Sequence, residues 1–284
     1  MGQTKEAERR RQFSSPTSTA PVLIGFDGAE GGSDALELGR VLSSIRGCGC
    51  TVALPKADGL LDEVRAVLGG APKSHSIGVI APGLALVECA ERDHAGTLAI
   101  GSSRHGKLGR ALLGSVGDQV LRHAPCEVVV APRGYASERH EGYTKIAVAV
   151  DGTPESKVAL TRAEDLARQA GAKVEVLVAD DPVVSDIQAE FPTDAPASLS
   201  NVLEAAIGSV DPALAPSGKR VETGWKQVVR TIAAALADAC GPDVDLLVTG
   251  SRRPWEHFLA GSVTKHLITE APCPVLIVPH SRQV

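Results

Sequence analysis

A short apolar run at residues 22–26 ends in Asp27-Gly28, and behind it Ala35, Leu38, Leu42 and Ile45 recur at helical spacing. The first stretch reads as a strand and the second as the buried face of a helix, with Ser33 or Asp34 available to cap it. The alternation continues with a strand at 51–54, a short helix carrying Leu60, Leu61, Val64 and Leu68, and a third strand near 77–80. A helix over 82–95 and a strand at 97–100 follow. Val116, Val120 and Leu121 then mark one more helix, and residues 127–130 a fifth strand. The order βαβαβαβαβ demands right-handed crossovers and therefore a parallel sheet.

Residues 133–144 are polar and carry glycines, the composition of a linker. Beyond them the pattern runs again. A strand over 145–150 ends in Asp151-Gly152, a helix carries Ala159, Ala163, Leu166 and Ala170, and a strand covers 174–179. Residues 180–218 are longer than their counterpart, acidic at Asp180, Asp181, Asp186 and Glu190, and hold at most one helix near 198–207. Its apolar residues Val202, Leu203 and Ile207 would cover a sheet edge or present a partner surface. A strand at 219–222, a helix at 227–240 and strands at 244–248 and 275–278 complete the second copy. Asp27 and Asp151 lie 124 residues apart, Gly101 and Gly250 lie 149 apart, and Gly114 and Gly261 lie 147 apart. The tripeptide Ala124-Pro125-Cys126 recurs as Ala271-Pro272-Cys273, again 147 apart. Two similar halves with an insertion of about 25 residues in the second account for all of these offsets. The expected division is a tail over 1–20, a first domain over 21–133, a linker over 134–144 and a second domain over 145–284.

Length and composition agree with this picture. A chain of 284 residues is ample for two domains that each bury a core. Aromatics make up 3%, which suits parallel strands covered by helices better than an aromatic-rich sandwich. A net charge of −5 gives no reason to expect nucleic acid or an anionic membrane as partner. No apolar run approaches the ~18 residues of a membrane span. Six cysteines without a secreted framework fit a reducing cytoplasm, the expected location. Cys48 and Cys50 flank a glycine before the second strand; such a pair can be structural, redox-active or metal-binding, and no histidine cluster joins it. The eight histidines show no HxxxH spacing, so no metal site is expected.

Candidate chemistry concentrates in two loops, GSSRHGKLGRALLGSV over 101–116 and GSRRPWEHFLAGSV over 250–263. Each joins an apolar run to a helix N-terminus, where unpaired N–H groups and a partial positive charge favour phosphate. Gly101 and Gly250 permit close approach of a ribose or phosphate, or else serve a turn with positive φ. Gly114-Ser115 and Gly261-Ser262 either hold a phosphate or form ordinary helix caps. Asp27 and Asp151 end their strands at the carboxyl edge, as ligand acceptors or as Asp-Gly turns.

The combination of strand-Asp-Gly, a later strand ending in Gly-Ser, then Gly-Ser-Val and a helix ending Ala-Pro-Cys resembles the universal stress protein family, and two copies resemble its tandem form. The resemblance implies two five-stranded parallel, doubly wound α/β domains of the adenine nucleotide alpha hydrolase-like kind. Their strand order would be 3-2-1-4-5, and they would be paired through their fifth strands. It also implies a regulatory binding protein, with ATP as cofactor in members that carry Gly-x2-Gly-x9-Gly-Ser/Thr. The first half reads Gly101-x2-Arg104-x9-Gly114-Ser115, with arginine at the middle glycine and Gly106 two residues on. On that pattern Asp27, Gly101, Arg104, Gly106, Gly114, Ser115 and Val116 are the nucleotide-site candidates, with Asp151, Gly250, Gly261 and Ser262 as weaker counterparts. The second half reads Gly250-x2-Arg253-x7-Gly261-Ser262, two loop residues short, with Pro254, Trp255 and Phe258 adding stiffness and bulk. Arg104 and Arg253 would clamp phosphate, fill its space or face solvent.

Nothing in the chain resembles a nucleophile elbow or a two-metal carboxylate set, so no catalytic residue is assigned and any ATP hydrolysis would be slow and incidental. Two functions stay open, an ATP-responsive regulator and an interaction module working through the paired halves and residues 180–218. Homodimerisation is a further expectation. An enzyme transferring an adenylyl or phosphoryl group is a third reading, opposed by Glu30 in the loop after the first strand.

Overall fold

Val22–Gly25 (β1) is buried almost throughout, with Val22 and Ile24 facing one side of the sheet and Leu23 the other. In the computed structural model, which describes residues 20–56, 59–78, 80–102, 114–180, 199–222, 228–252 and 263–280, that alternation repeats through ten strands. The first half places β1 beside Cys50–Pro55 (β2), Lys73–Ile77 (β3), Thr97–Gly101 (β4) and Glu127–Ala131 (β5). The second comprises Lys145–Ala149 (β6), Lys173–Asp180 (β7), Ser217–Glu222 (β8), Leu246–Arg252 (β9) and Val275–His280 (β10). The order across the sheet is β3-β2-β1-β4-β5-β10-β9-β6-β7-β8. Each half is therefore parallel in the order 3-2-1-4-5, and antiparallel pairing of β5 with β10 joins them. Val129 faces Leu276 at the centre of that pairing, flanked by Val128 with Ile277 and Val130 with Val275. The two halves are thus related by a local two-fold axis through this pair.

Helices cover both faces, the doubly wound arrangement that fully apolar strands require. On one face lie Glu30–Arg46 (α1), Leu60–Leu68 (α2), Pro154–Ala170 (α5) and Leu199–Ser209 (α6). On the other lie Pro82–Arg92 (α3), Ser115–His123 (α4), Val228–Ala239 (α7) and Val263–Glu270 (α8). Each of the two buried clusters runs without a break from the first half into the second.

Three differences from the sequence reading have clear causes. Helix α1 starts at Glu30, not beyond Ser33 or Asp34, and its N-cap is the extended Ala29 with no side-chain cap. Asp34 faces the chain between β5 and β6 instead. The third strand lies at Lys73–Ile77 rather than 77–80, and Ile80 is 92% exposed. As an edge strand with one neighbour, β3 draws its stability from backbone pairing with β2, so polar Lys73, Ser74 and Ser76 are tolerated and apolar patterning misplaces it.

The polar stretch between β5 and β6 is not a solvated linker. Tyr135 and Tyr143 are buried, Tyr135–Ser137 forms a 3-10 turn, and Tyr135 stacks on His140 with ring centroids 4.0 Å apart. Asp34 accepts the N–H groups of Gly134 (3.0 Å) and Ala136 (2.8 Å), and Glu37 accepts that of His140 (2.9 Å). Within the second-half insertion, Leu203 and Ile207 of α6 pack on Gly218 of β8, where a Cβ would meet Leu203 at 2.8 Å. That helix covers the sheet rather than presenting its apolar side to a partner. The acidic residues Asp181, Asp186 and Glu190 lie outside the described residues, as do residues 1–19 of the expected tail over 1–20.

Candidate functional site

Strand order reverses between β1 and β4, so the carboxyl ends of these two strands flank the crevice where open α/β sheets take ligands. Asp27 lies at one lip, exposed. Its Oδ1 accepts the Ala29 N–H at 3.0 Å, closing a turn that leads into α1, and Gly28 supplies the positive φ of 77° that the turn needs. No other hydrogen bond reaches Asp27 among the described residues. The turn reading of this carboxylate is realised through one oxygen, and the second accepts no hydrogen bond from the described residues. Asp151 does the same in the second half. Its Oδ1 accepts the Thr153 N–H (3.0 Å) and hydroxyl (2.6 Å), and Thr153 caps α5 by accepting the Ser156 N–H at 3.3 Å.

At the other lip stands Gly101, and neither it nor Gly250 has a positive φ, which removes the turn explanation. What comes close is protein backbone. A Cβ on Gly101 would run into the carbonyl oxygen of Gly31 in the first turn of α1, and one on Gly250 into that of Glu155 in α5. These glycines let a helix N-terminus settle onto a strand end. Ser102 follows, 6% exposed; its N–H donates to the Ala131 carbonyl at 3.1 Å, and its hydroxyl has no hydrogen-bond partner.

Gly114 is the N-cap of α4, extended at φ −69° and ψ 177°, and no side chain caps this helix. Ser115 is its first residue and exposed, so it is not the cap, and Val116 is half-buried. The first-turn N–H groups of Ser115, Val116 and Gly117 find no acceptor among the described residues, the condition under which a helix end attracts an anion. Arg104, Gly106, Arg253, Gly261 and Ser262 lie outside the described residues. The described residues contain no group of three or more His, Cys, Asp or Glu able to hold a metal ion.

The two crevices differ in a way that the loop motifs do not reveal. Gly31, on the inner side of the first turn of α1, corresponds to Glu155 in α5, 124 residues later. A Cβ on Gly31 would meet the Ser102 carbonyl oxygen at 2.7 Å, so no side chain fits there. Glu155 is 7% exposed, and its Cβ lies over Gly250. The second half therefore sets a buried glutamate beside the strand end where the first half carries Gly31. The repeat offset itself was the signal for this pair.

The chain matches the model of the universal stress protein family over residues 49–132 and 142–279. It belongs to that family. Two copies stand in one chain, because curated relatives align to about half of it and to most of themselves. A universal stress protein of Staphylococcus haemolyticus is 30% identical over 142 residues, 48% of this chain and 84% of the relative. One of Thermus aquaticus is 32% identical over 138 residues, 48% of this chain and 98% of the relative. The two-domain architecture is shared with the crystal structure of a universal stress protein from Archaeoglobus fulgidus. That structure covers 91% of this chain and 98% of its own with a TM-score of 0.65 at 18% identity, a likeness of fold. Among the described residues no helix of this universal stress protein is long and apolar enough to cross a membrane.

Proposed function

We propose that this universal stress protein is a regulatory binding protein whose first-half crevice takes an adenine nucleotide, ATP, while the second-half crevice does not. The observation that carries the reading is the exchange of Gly31 for Glu155. A triphosphate brought to the second crevice would meet the buried Glu155 side chain beside Gly250, where the first crevice has the bare backbone of Gly31, so the room at that strand end is already taken. In the first half the corresponding surface is the backbone of Gly31, and among the described residues no side chain caps α4 and one Asp27 oxygen accepts no hydrogen bond.

The residues that would hold the nucleotide follow from their chemistry. Asp27 accepts hydrogen bonds from the adenosine portion, the N–H groups of Ser115 and Val116 and the Ser115 hydroxyl donate to phosphate oxygens, and Arg104 supplies a guanidinium fork. Bound nucleotide would then bias the contacts this chain makes with a partner, which is the regulatory role.

Calorimetric titration of the full chain with ATP, beside chromatography of whatever leaves the protein on denaturation, tests the reading. One adenine nucleotide per chain is expected, abolished by Gly114→Asp with the fold retained and unaffected by Ser262→Asp. Absence of both recovered nucleotide and titration heat at millimolar ATP would sink it, and the paired halves would then stand as an interaction module.

A further inference from the structure

At the opposite, amino-terminal edge of the first-half sheet lies a groove of ≈ 770 Å³ between the C-terminal ends of α1 and α2 and the starts of β2 and β3. Arg40, Lys73 and Arg139 line it and no carboxylate does, and both Cys48 and Cys50 open onto it. Both are free thiols and half-buried, whereas Cys89, Cys126, Cys240 and Cys273 are buried. Helix α1 ends at Arg46, Gly47 turns the chain with φ 60°, and the Cys48 N–H donates back to the Ser43 carbonyl at 3.1 Å. Cys50 starts β2 opposite Val22, with its Sγ 3.8 Å from the Gly39 carbonyl oxygen. Between them, Gly49 has nothing within 4 Å of where a Cβ would stand, so the backbone has room to bend.

The Arg46 guanidinium, 5% exposed, donates from Nη1 to Thr97 Oγ1 at 2.8 Å, while its Nε and Nη2 are buried without a hydrogen-bond partner. Its charge acts on Cys48. Burial pushes the Cys50 thiol up, partly offset by a hydrogen bond with Ser43. A half-buried thiol within reach of an arginine's charge, opening onto a groove and with a second thiol two residues on, is the arrangement of a reversible oxidation site.

We propose that Cys48 and Cys50 form a dithiol site oxidised by hydroperoxides, in which Cys48 reacts first and Cys50 closes an intrachain disulfide. The Cys48 sulfur attacks one oxygen of hydrogen peroxide. An S–O bond forms, the O–O bond breaks, and hydroxide departs as water with the proton released by the thiol. The Cys50 sulfur then attacks the Cys48 sulfenic acid, forming the S–S bond and breaking S–O, and its proton leaves with hydroxide as a second water. Two thiols are oxidised and one peroxide is reduced. The bend at Gly49 pulls on the bond from the Val22 N–H to the Gly49 carbonyl (3.0 Å), so closure loosens the amino ends of β1 and β2.

Trypsin releases residues 47–56 as one peptide, GCGCTVALPK, that holds both thiols and no other cysteine. After stoichiometric hydrogen peroxide treatment of the full chain, mass spectrometry of this peptide should show loss of two hydrogens, reversed by dithiothreitol. In Cys50→Ser the same treatment should leave a dimedone-trappable sulfenic acid on Cys48, whereas Cys48→Ser should leave none on Cys50. An unchanged peptide mass, oxidation confined to the four buried cysteines, or equal trapping in both variants would overturn the proposal.

Discussion

Glu127 is fully buried at the start of β5 and is shared by two arginines from different halves. Arg162 of α5 sets its Nη2 3.0 Å from Oε2 and its Nε 2.7 Å from Oε1, the latter an ion contact off the hydrogen-bond line. Thr97 donates to Oε2 at 3.2 Å and itself accepts from Arg46 of α1. Burial, then the Arg162 charge, pull Arg46 below its ordinary value. Glu127→Gln removes the one negative charge among these residues and leaves two buried guanidinium groups within reach of each other's charge. Breaking a buried pair from one side costs about 3–5 kcal/mol, since the surviving charge stays desolvated. At roughly 2–4 °C per kcal/mol for larger domains, the melting temperature should fall by about 6–20 °C. Across the local two-fold, the places of Arg46, Glu127 and Arg162 are taken by Ala170, Pro274 and Leu38, so the fold already tolerates an apolar solution there. The triple variant Arg46→Ala, Glu127→Leu, Arg162→Leu is therefore expected to match the parent or exceed it by about 1–4 kcal/mol. Thermal and urea melts followed by far-UV circular dichroism measure both. A Glu127→Gln loss below about 1 kcal/mol, or a triple variant as unstable as the single, would refute the reasoning.

Two other expectations follow from contacts already described. Gly101→Ala should cost upwards of about 3 kcal/mol, because its methyl group meets the Gly31 carbonyl oxygen and backbone must move, whereas Gly49→Ala, with open space around it, should change the melt by under about 0.5 kcal/mol; equal effects would show that helix α1 does not rest on the β4 end as described. Acid should destabilise the first half. Burial raises Glu37 and Asp93, but the Arg40 and His140 bonds to Glu37 and the Lys73 and His75 bonds to Asp93 outweigh it, and both carboxyls end below their ordinary values. Stability from such groups is complete above the unfolded value near 4 and disappears as pH falls through the lowered folded value, so the parent should lose more stability than Glu37→Gln/Asp93→Asn between about pH 5 and pH 2. Parallel pH–stability curves for the two proteins would contradict this.

Much of the candidate site was legible because its parts are local. Asp27-Gly28 and Gly114 before α4 each follow from the few residues around them, and helix periodicity placed α1, α2, α4 and α5 closely. The site features that were missed depend on what arrives from elsewhere in the chain. Gly101 reads as a place for a ligand until α1 is seen resting on it, and Ser33 reads as a cap until Ala29 takes that position.

By itself the sequence determined that there are two copies of one α/β unit, their order of strands and helices, and the insertion in the second, because periodic burial and repeat offsets are properties of the chain alone. The tertiary structure decided three further things. It packed the Asp34–Glu37 face of α1 against the stretch between β5 and β6, gathered Arg46, Glu127 and Arg162 on one side of the local two-fold, and set Glu155 beside one strand end where Gly31 stands at the other. A charged side chain carries the same local signal whether it faces water or another element. Its burial and its partner are fixed only when distant segments close over it, and that closure is a property of the assembled sheet.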